Sequence, residues 1–419
     1  MKRFYGRLGL LGLILTLFWS AGIGLAAAKP VTLKMVIWGA PLHIDMYNKL
    51  VKSYQKTHPG IGLEIVVAPY GEFTEKVTSM IASGNPPDIT WWSEDSLTYF
   101  ADKGYFVELD SAVKKWGPEW DPEDVYPTTL EGGRWKGKLY AIPFSTPAPV
   151  LYYNKKLFDE AGLKYPTEDW TWDDFDAALR KLSKGEGASK VYGVENLLDK
   201  GVEWQSLLNI IRSYGGKFMN EKRNRCVINS PQSVTALKKY LDWVNNGLST
   251  RPGISAPFEQ GRSAMFIGFM SMKARFDGVK SLDYDIAFVP KGPAGRQLRG
   301  GSAYLVVMKS TAYKKESLDL LRFLSGKEGI RESAVYFGPP RKSIGLSKEF
   351  LDPATPPANK KVFIESLQYS TVTEHFPLFV KANLIAQEEV DLMVAGKQPV
   401  EETLKKIQNR INSLLAENK

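Results

Sequence analysis

Two periods alternate along the first hundred residues. Val31 to Trp38 (VTLKMVIW) is an apolar run with period-2 alternation, which predicts a strand. Over 42–58, Tyr47, Leu50, Val51 and Tyr54 recur on one helical face, and Pro59-Gly60 closes the segment. Ile61 to Ala68 reads as a second strand. Phe73, Val77, Met80 and Ile81 mark a second helix ended by Gly84, and Asp88 to Trp92 reads as a third strand. Strands and helices alternating at this spacing predict βαβ units on a parallel sheet. Shorter helical pieces follow at Leu97–Gly104 and Leu109–Trp116.

The pattern breaks at AIPFSTPAPV. Pro143, Pro147 and Pro149 fix φ there and push the preceding residues extended. Val150 to Tyr153 predicts a strand, Asn154 opens a short helix ended by Gly162, and Thr171-Trp172-Asp173-Asp174 reads as a capping box with Asp in place of Glu. A rigid extended crossing between two α/β regions is what a hinge looks like. Beyond it helices dominate. Ser230-Pro231 caps a helix with its stripe at Val234, Leu237, Leu241 and Val244. Ser263–Met270 and Tyr284–Val289 read as strands, and Val400, Leu404, Ile407, Ile411 and Leu414 form an amphipathic C-terminal helix. Ser302–Met308 with the helix Leu318–Leu324 has the opening βαβ style and is assigned to the first lobe. The expected fold is therefore α/β and two-lobed, each lobe a sheet flanked by helices. Lobe 1 takes 29–143 and 303–336, and lobe 2 takes 147–299 and 343–419. Three crossings join them near 143–149, 299–303 and 335–343.

Composition changes the picture in three ways. Lys2, Arg3 and Arg7 precede an apolar Leu8–Trp19, and Ala26-Ala27-Ala28 offers a cleavage site, which predicts a cleaved signal peptide over 1–28. No cysteine lies near that site, so a periplasmic protein without a lipid anchor is expected. The formal charge of +9 falls to +6 once the leader's three basic residues are removed, and it is spread along the chain, which argues against a nucleic-acid partner. Cys226 is the one cysteine, so packing must stabilise some 390 residues, more than one core usually covers. Cys226 itself is expected to be buried and inert.

The segments GKLYAIP (137–143), YNKKLFDEAGL (153–163), TWDDF (171–175), NPPDI (85–89), FEQGRSAM (258–265), Gly300-Gly301 and PPRKS (339–343) together resemble the family 1 extracellular solute-binding proteins, the sugar-type receptors of ABC importers. The resemblance runs in order from about Val31 to the C-terminus. It implies the type II periplasmic-binding-protein fold, hinge motion, a monomer, a carbohydrate ligand, and permease subunits in the inner membrane as partners. It also implies an arginine at the third crossing, here Arg341, that either contacts ligand or clamps the lobes.

An open α/β sheet binds ligand at the carboxyl ends of its strands, independently of family. That rule selects Trp38-Gly39-Ala40, then Tyr70, Glu72 and Phe73, then Trp92, Glu94 and Asp95. Aromatic faces beside carboxylates suit a sugar, whose C–H bonds lie on a ring while its hydroxyls donate to the acid. Trp91 and Trp92 point to opposite faces of a strand, so at most one lines a cleft, and Trp92 is selected. Thr146 in the crossing, Trp204, Phe266, Gly268, the backbone of Gly301 and Ser302, and Tyr304 complete the candidate ligand-binding set. His43, His58 and His375 are far apart, and no HxxxH, CxxC, GxSxG, P-loop or EF-hand pattern occurs. Neither a metal, a cofactor nor catalysis is expected. A secreted polysaccharide-active enzyme would need two acids flanking a bond, and the adjacent Glu94 and Asp95 project apart. A polyol, a sugar phosphate or a compatible solute are the alternative cargoes.

Overall fold

The structure is a computed structural model that describes residues 30–39, 41–146, 148–195, 197, 203–371 and 374–418. The expected leader (1–28), Ala40 and Pro147 lie outside the described residues. Among the described residues no helix is long and apolar enough to cross a membrane.

Strand β1 (Val31–Trp38) pairs in parallel with β2 (Ile61–Ala68) over its whole length, from Val31 opposite Ile61 to Trp38 opposite Ala68, and with β3 (Ile89–Ser93) on its other side. The helix Pro41–Gln55 joins the first pair and buries Met46, Tyr47, Leu50 and Tyr54 against the sheet. The helix Tyr70–Ala82 joins the second and buries Phe73 and Val77. Asp88 fixes the entry to β3. Its carboxylate accepts from the Lys34 N–H (2.8 Å) and the Thr311 hydroxyl (2.5 Å). After the helices Glu94–Asp102 and Asp110–Trp120, a two-residue strand β4 (Ile142–Pro143) ends the chain's first passage through this sheet.

Strand β5 (Val150–Asn154) opens a second sheet with β6 (Tyr192–Val194), β7 (Ser263–Gly268) and β8 (Tyr284–Ala287), in the order β8-β5-β7-β6. Every residue of β5 is buried because both faces are covered. On one side lie Tyr152, Phe258, Phe276 and Phe363. On the other are the helices Trp172–Leu182, Pro231–Asn245, Phe379–Val394 and Val400–Glu417, which bury Phe175, Leu237, Val390 and Ile407. The Thr171 hydroxyl accepts from the Asp174 N–H while Asp174 accepts from the Thr171 N–H, so the capping box is closed. Asn154 caps the helix Lys155–Glu160. Cys226 is fully buried, and burial pushes its thiol up to about 12.

A short parallel pair, β9 (Leu298–Arg299) with β11 (Ser370–Thr371), lies beside the route back to the first sheet. There β10 (Ala303–Val307) inserts antiparallel between β3 and β4, giving the order β2-β1-β3-β10-β4. The chain thus passes between the sheets at 144–149 and again at 300–302. These passages are bonded to each other: Phe144 N–H donates to the Ala303 carbonyl and Ala303 N–H to the Ser145 hydroxyl, both at 3.0 Å. A third tie follows at Thr146, whose N–H donates to the Gly338 carbonyl (2.8 Å).

Candidate functional site

A cavity of about 400 Å³ opens at the carboxyl ends of β1 and β3, where the crossings run between the two sheets. The first sheet supplies one wall. Trp38 ends β1 and meets Tyr70, Phe73 and Trp91 edge to face, with centroids 4.9–5.4 Å apart. β3 contributes Trp91 and Ser93, which share a face of the strand, and the helix after it contributes Glu94 and Asp95. The crossings supply Ser145, Thr146, Arg299, Gly301, Ser302, Phe337 and Gly338. The second sheet supplies Phe266, Ile267 and Gly268 from the end of β7, with Phe269, Met270 and Met272 beyond it and Ser206 and Asn209 opposite.

Of the candidates, the cavity brings together Trp38, Tyr70, Glu94, Asp95, Thr146, Phe266, Gly268, Gly301 and Ser302. Two glycines are required by contact. A Cβ on Gly268 would fall 2.3 Å from the Phe266 ring. Gly39 does not line the cavity, but its φ of +133° and the His43 ring, 2.1 Å from where its Cβ would stand, make glycine necessary there. His43 lines the cavity and stacks on Phe337 at 5.1 Å.

Besides Gly39, five candidates lie outside the cavity. Trp92 is fully buried on the opposite face of β3 from Trp91, packed against Phe73, Phe100 and Phe106. The strand's alternation is as expected, but the face turned to the cavity is that of Trp91. Glu72 is exposed on the first turn of its helix, outside the cavity. Trp204 is buried in the second core, its indole N–H donating to Asn383 at 2.5 Å. Tyr304 points into the first core and donates to the Thr129 carbonyl (3.0 Å). Arg341 neither reaches the cavity nor clamps the lobes. It is fully buried over the Trp120 ring, donates to the carbonyls of Ser325 (2.8 Å) and Asp121 (3.2 Å), and lies 3.4 Å from the Asp124 carboxylate. All of these belong to the first lobe, so Arg341 anchors the third crossing to that lobe alone.

The two acids do part, as adjacent residues at a helix start should. Glu94 is 4% exposed; its Oε2 accepts from the Ser302 N–H (3.1 Å) and its Oε1 lies 3.0 Å from His375 Nε2. Burial alone would push this carboxyl up, but His375, Arg299 and the Ser302 N–H outweigh burial and hold it below the usual carboxylate range. Asp95 turns instead to Arg299, whose Nη2 donates to Oδ1 at 2.9 Å. Arg299, His375 and Trp91 were not among the candidates. A Trp-Trp pair in a short strand gives alternation without saying which face is the cleft, and Arg299 and His375 reach the acids only through folding, across 204 and 281 positions of sequence. The one available signal was the position of Arg299 directly before Gly300-Gly301.

A cavity between two sheet-based lobes, lined from both and from the chain passages that join them, defines a two-lobed binding protein. The chain belongs to the bacterial extracellular solute-binding protein family, whose sequence profile matches residues 40–330. It is 28% identical over 295 residues to a binding protein of Brucella abortus (strain 2308), covering 67% of this chain and 69% of that one. Its fold is similar to that of an ABC substrate-binding protein of Listeria monocytogenes in complex with cycloalternan (TM-score 0.83, 25% identity, 92% of this chain and 99% of that one). It is also similar to that of an ABC transporter solute-binding protein of Agrobacterium vitis S4 with bound D-mannitol (TM-score 0.74, 22% identity, 92% and 98%). Family and fold are those of binding proteins rather than enzymes.

Proposed function

We propose that this protein is an exported receptor that encloses a neutral carbohydrate, a mono- or short oligosaccharide, between its lobes and hands it to the permease of an ABC importer. The observation that carries the reading is the cavity itself: half-buried Trp38, backed by the buried Trp91, stands beside a charge-paired Asp95 at the carboxyl ends of β1 and β3. Aromatic faces take the apolar side of a sugar ring and carboxylates accept from its hydroxyls. The volume of about 400 Å³ sits near the lower end of the roughly 300–1,000 Å³ typical of small-molecule sites, which favours a short ligand. Against a sugar phosphate, Arg299 is the one Lys or Arg lining the cavity among the described residues, and it is already paired. A polyol is the second reading, favoured by the mannitol held in the Agrobacterium vitis relative.

In this reading the leader over 1–28 is removed, the mature chain works in the periplasm as a monomer, and the three crossings bend as hinges. Ligand touching both lobes stabilises the closed form by its differential affinity. Shifting closure from 1:99 to 99:1 takes about 5.5 kcal/mol, within the roughly 8 kcal/mol of a micromolar complex. A thermal-shift screen of the chain from Lys29 against neutral sugars, D-mannitol, sugar phosphates and betaine tests it. At 100 times Kd a ligand adds about 2.7 kcal/mol of stability. A rise in Tm with one neutral sugar series is expected, and a rise with phosphates or betaine alone overturns the carbohydrate reading.

A further inference from the structure

We infer that Arg299 is a ligand-contacting, specificity-determining residue, paired with Asp95 as a donor–acceptor unit that reads adjacent hydroxyls of a neutral ligand. The inference rests on the carbohydrate reading and goes beyond it by naming the group that selects the ligand. Arg299 is 4% exposed and lines the cavity. Its backbone is fixed from two sides: the N–H donates to Asn209 Oδ1 at 2.7 Å, and the residue pairs with Thr371 across β9 and β11. The side chain therefore leaves a rigid base.

The guanidinium's demand is only partly met. It carries five N–H donors, yet among the described residues its side chain bonds Asp95 through Nη2 alone, and Nε is buried without an acceptor. Nε is shut off from the cavity, but Nη1 is not enclosed and makes no bond among the described residues, so an oxygen arriving in the cavity adds a charge-assisted bond there. Room for that oxygen is kept by Gly301, where a Cβ would stand 3.1 Å from both Nη1 and the Phe269 ring. Asp95 accepts from Arg299 through Oδ1, and among the described residues its Oδ2 makes no hydrogen bond. A donor and an acceptor held side by side match two neighbouring hydroxyls, one accepting from the guanidinium and one donating to the carboxylate. An anionic ligand meets Asp95 and Glu94 together, with the charge of Arg299 already balanced. The competing role is that of a counter-ion, in which Arg299 serves only to neutralise Asp95.

Calorimetric titration of the wild type, Arg299→Lys, Arg299→Gln, Asp95→Asn and the Asp95→Asn/Arg299→Gln double variant separates the two roles. The probes are maltose, cycloalternan, D-mannitol and D-glucuronate. Arg299→Lys keeps the charge but loses the fork, and the neutral probe that binds the wild type is expected to bind this variant about 10- to 100-fold more weakly. The double variant is expected to bind more weakly than Asp95→Asn alone. D-glucuronate is expected to bind the wild type more weakly than the neutral probe. Equal affinity of wild type and Arg299→Lys, a double variant no weaker than Asp95→Asn, or a preference for glucuronate overturns the assignment alone. A wild type that binds none of the probes overturns the carbohydrate reading and the assignment with it. Melting of each variant is followed in parallel, and if Arg299→Gln does not fold, Arg299→Lys decides.

Discussion

Trp91 and Trp92 stand next to each other in sequence and on opposite sides of the first sheet. Both are fully buried, but Trp91 meets the cavity through Trp38, Phe144 and Phe337, while Trp92 is enclosed by phenylalanines. Trp92→Ala is expected to cost about 3–5 kcal/mol in denaturant unfolding, with ligand affinity kept in whatever remains folded. A loss of affinity at full stability would place Trp92 in the site. Glu94 makes a prediction about pH. Its folded carboxyl lies below its ordinary value of 4.5, so its contribution is complete above that pH and is lost as pH falls further, through the folded value. The stability difference between wild type and Glu94→Gln is thus expected not to fall as pH drops from neutrality to about 4.5, and to shrink below it. A difference already falling between pH 7 and 5 would contradict the pairing with His375 and Ser302.

Elements show why parts of this protein are legible in sequence and parts are not. The opening βαβ units, the Thr171 capping box and the Ser230-Pro231 helix start depend on residues within one turn or one strand, so local chemistry alone specifies them. The rule that open sheets bind at strand ends led to Trp38, Glu94 and Asp95 for the same reason. Arg341 was different. Its role depends on which carbonyls the helix Lys314–Ser325 and the loop 121–124 turn towards it, and no spacing encodes that. Tyr304 likewise sits in a strand whose neighbours, β3 and β4, are far away in sequence. Arg341→Met is expected to destabilise the protein by about 3–5 kcal/mol, because Asp124 is left buried without its cation. Chemical unfolding measures this, and an unchanged midpoint with weakened ligand binding would return Arg341 to the cleft.

At the scale of the whole molecule, the second sheet's β7 and the first sheet's β3 face one cavity because the chain crosses between them and the crossings bond one another. Glu94 and Asp95, at the end of the first sheet, reach His375 and Arg299 beyond it. Ligand capture is thus tied to how the lobes sit, and an aromatic wall on the first lobe should carry much of the affinity without carrying the fold. Calorimetric titration of the sugar found in the screen against wild type and Trp38→Ala tests this most directly. One binding site per chain in the wild type is expected, weakened at least about 10-fold in Trp38→Ala, with little change in Tm because Trp38 is only half-buried at a strand end. Equal affinity in the two proteins would contradict the account, since the ligand would then be held somewhere other than this cleft.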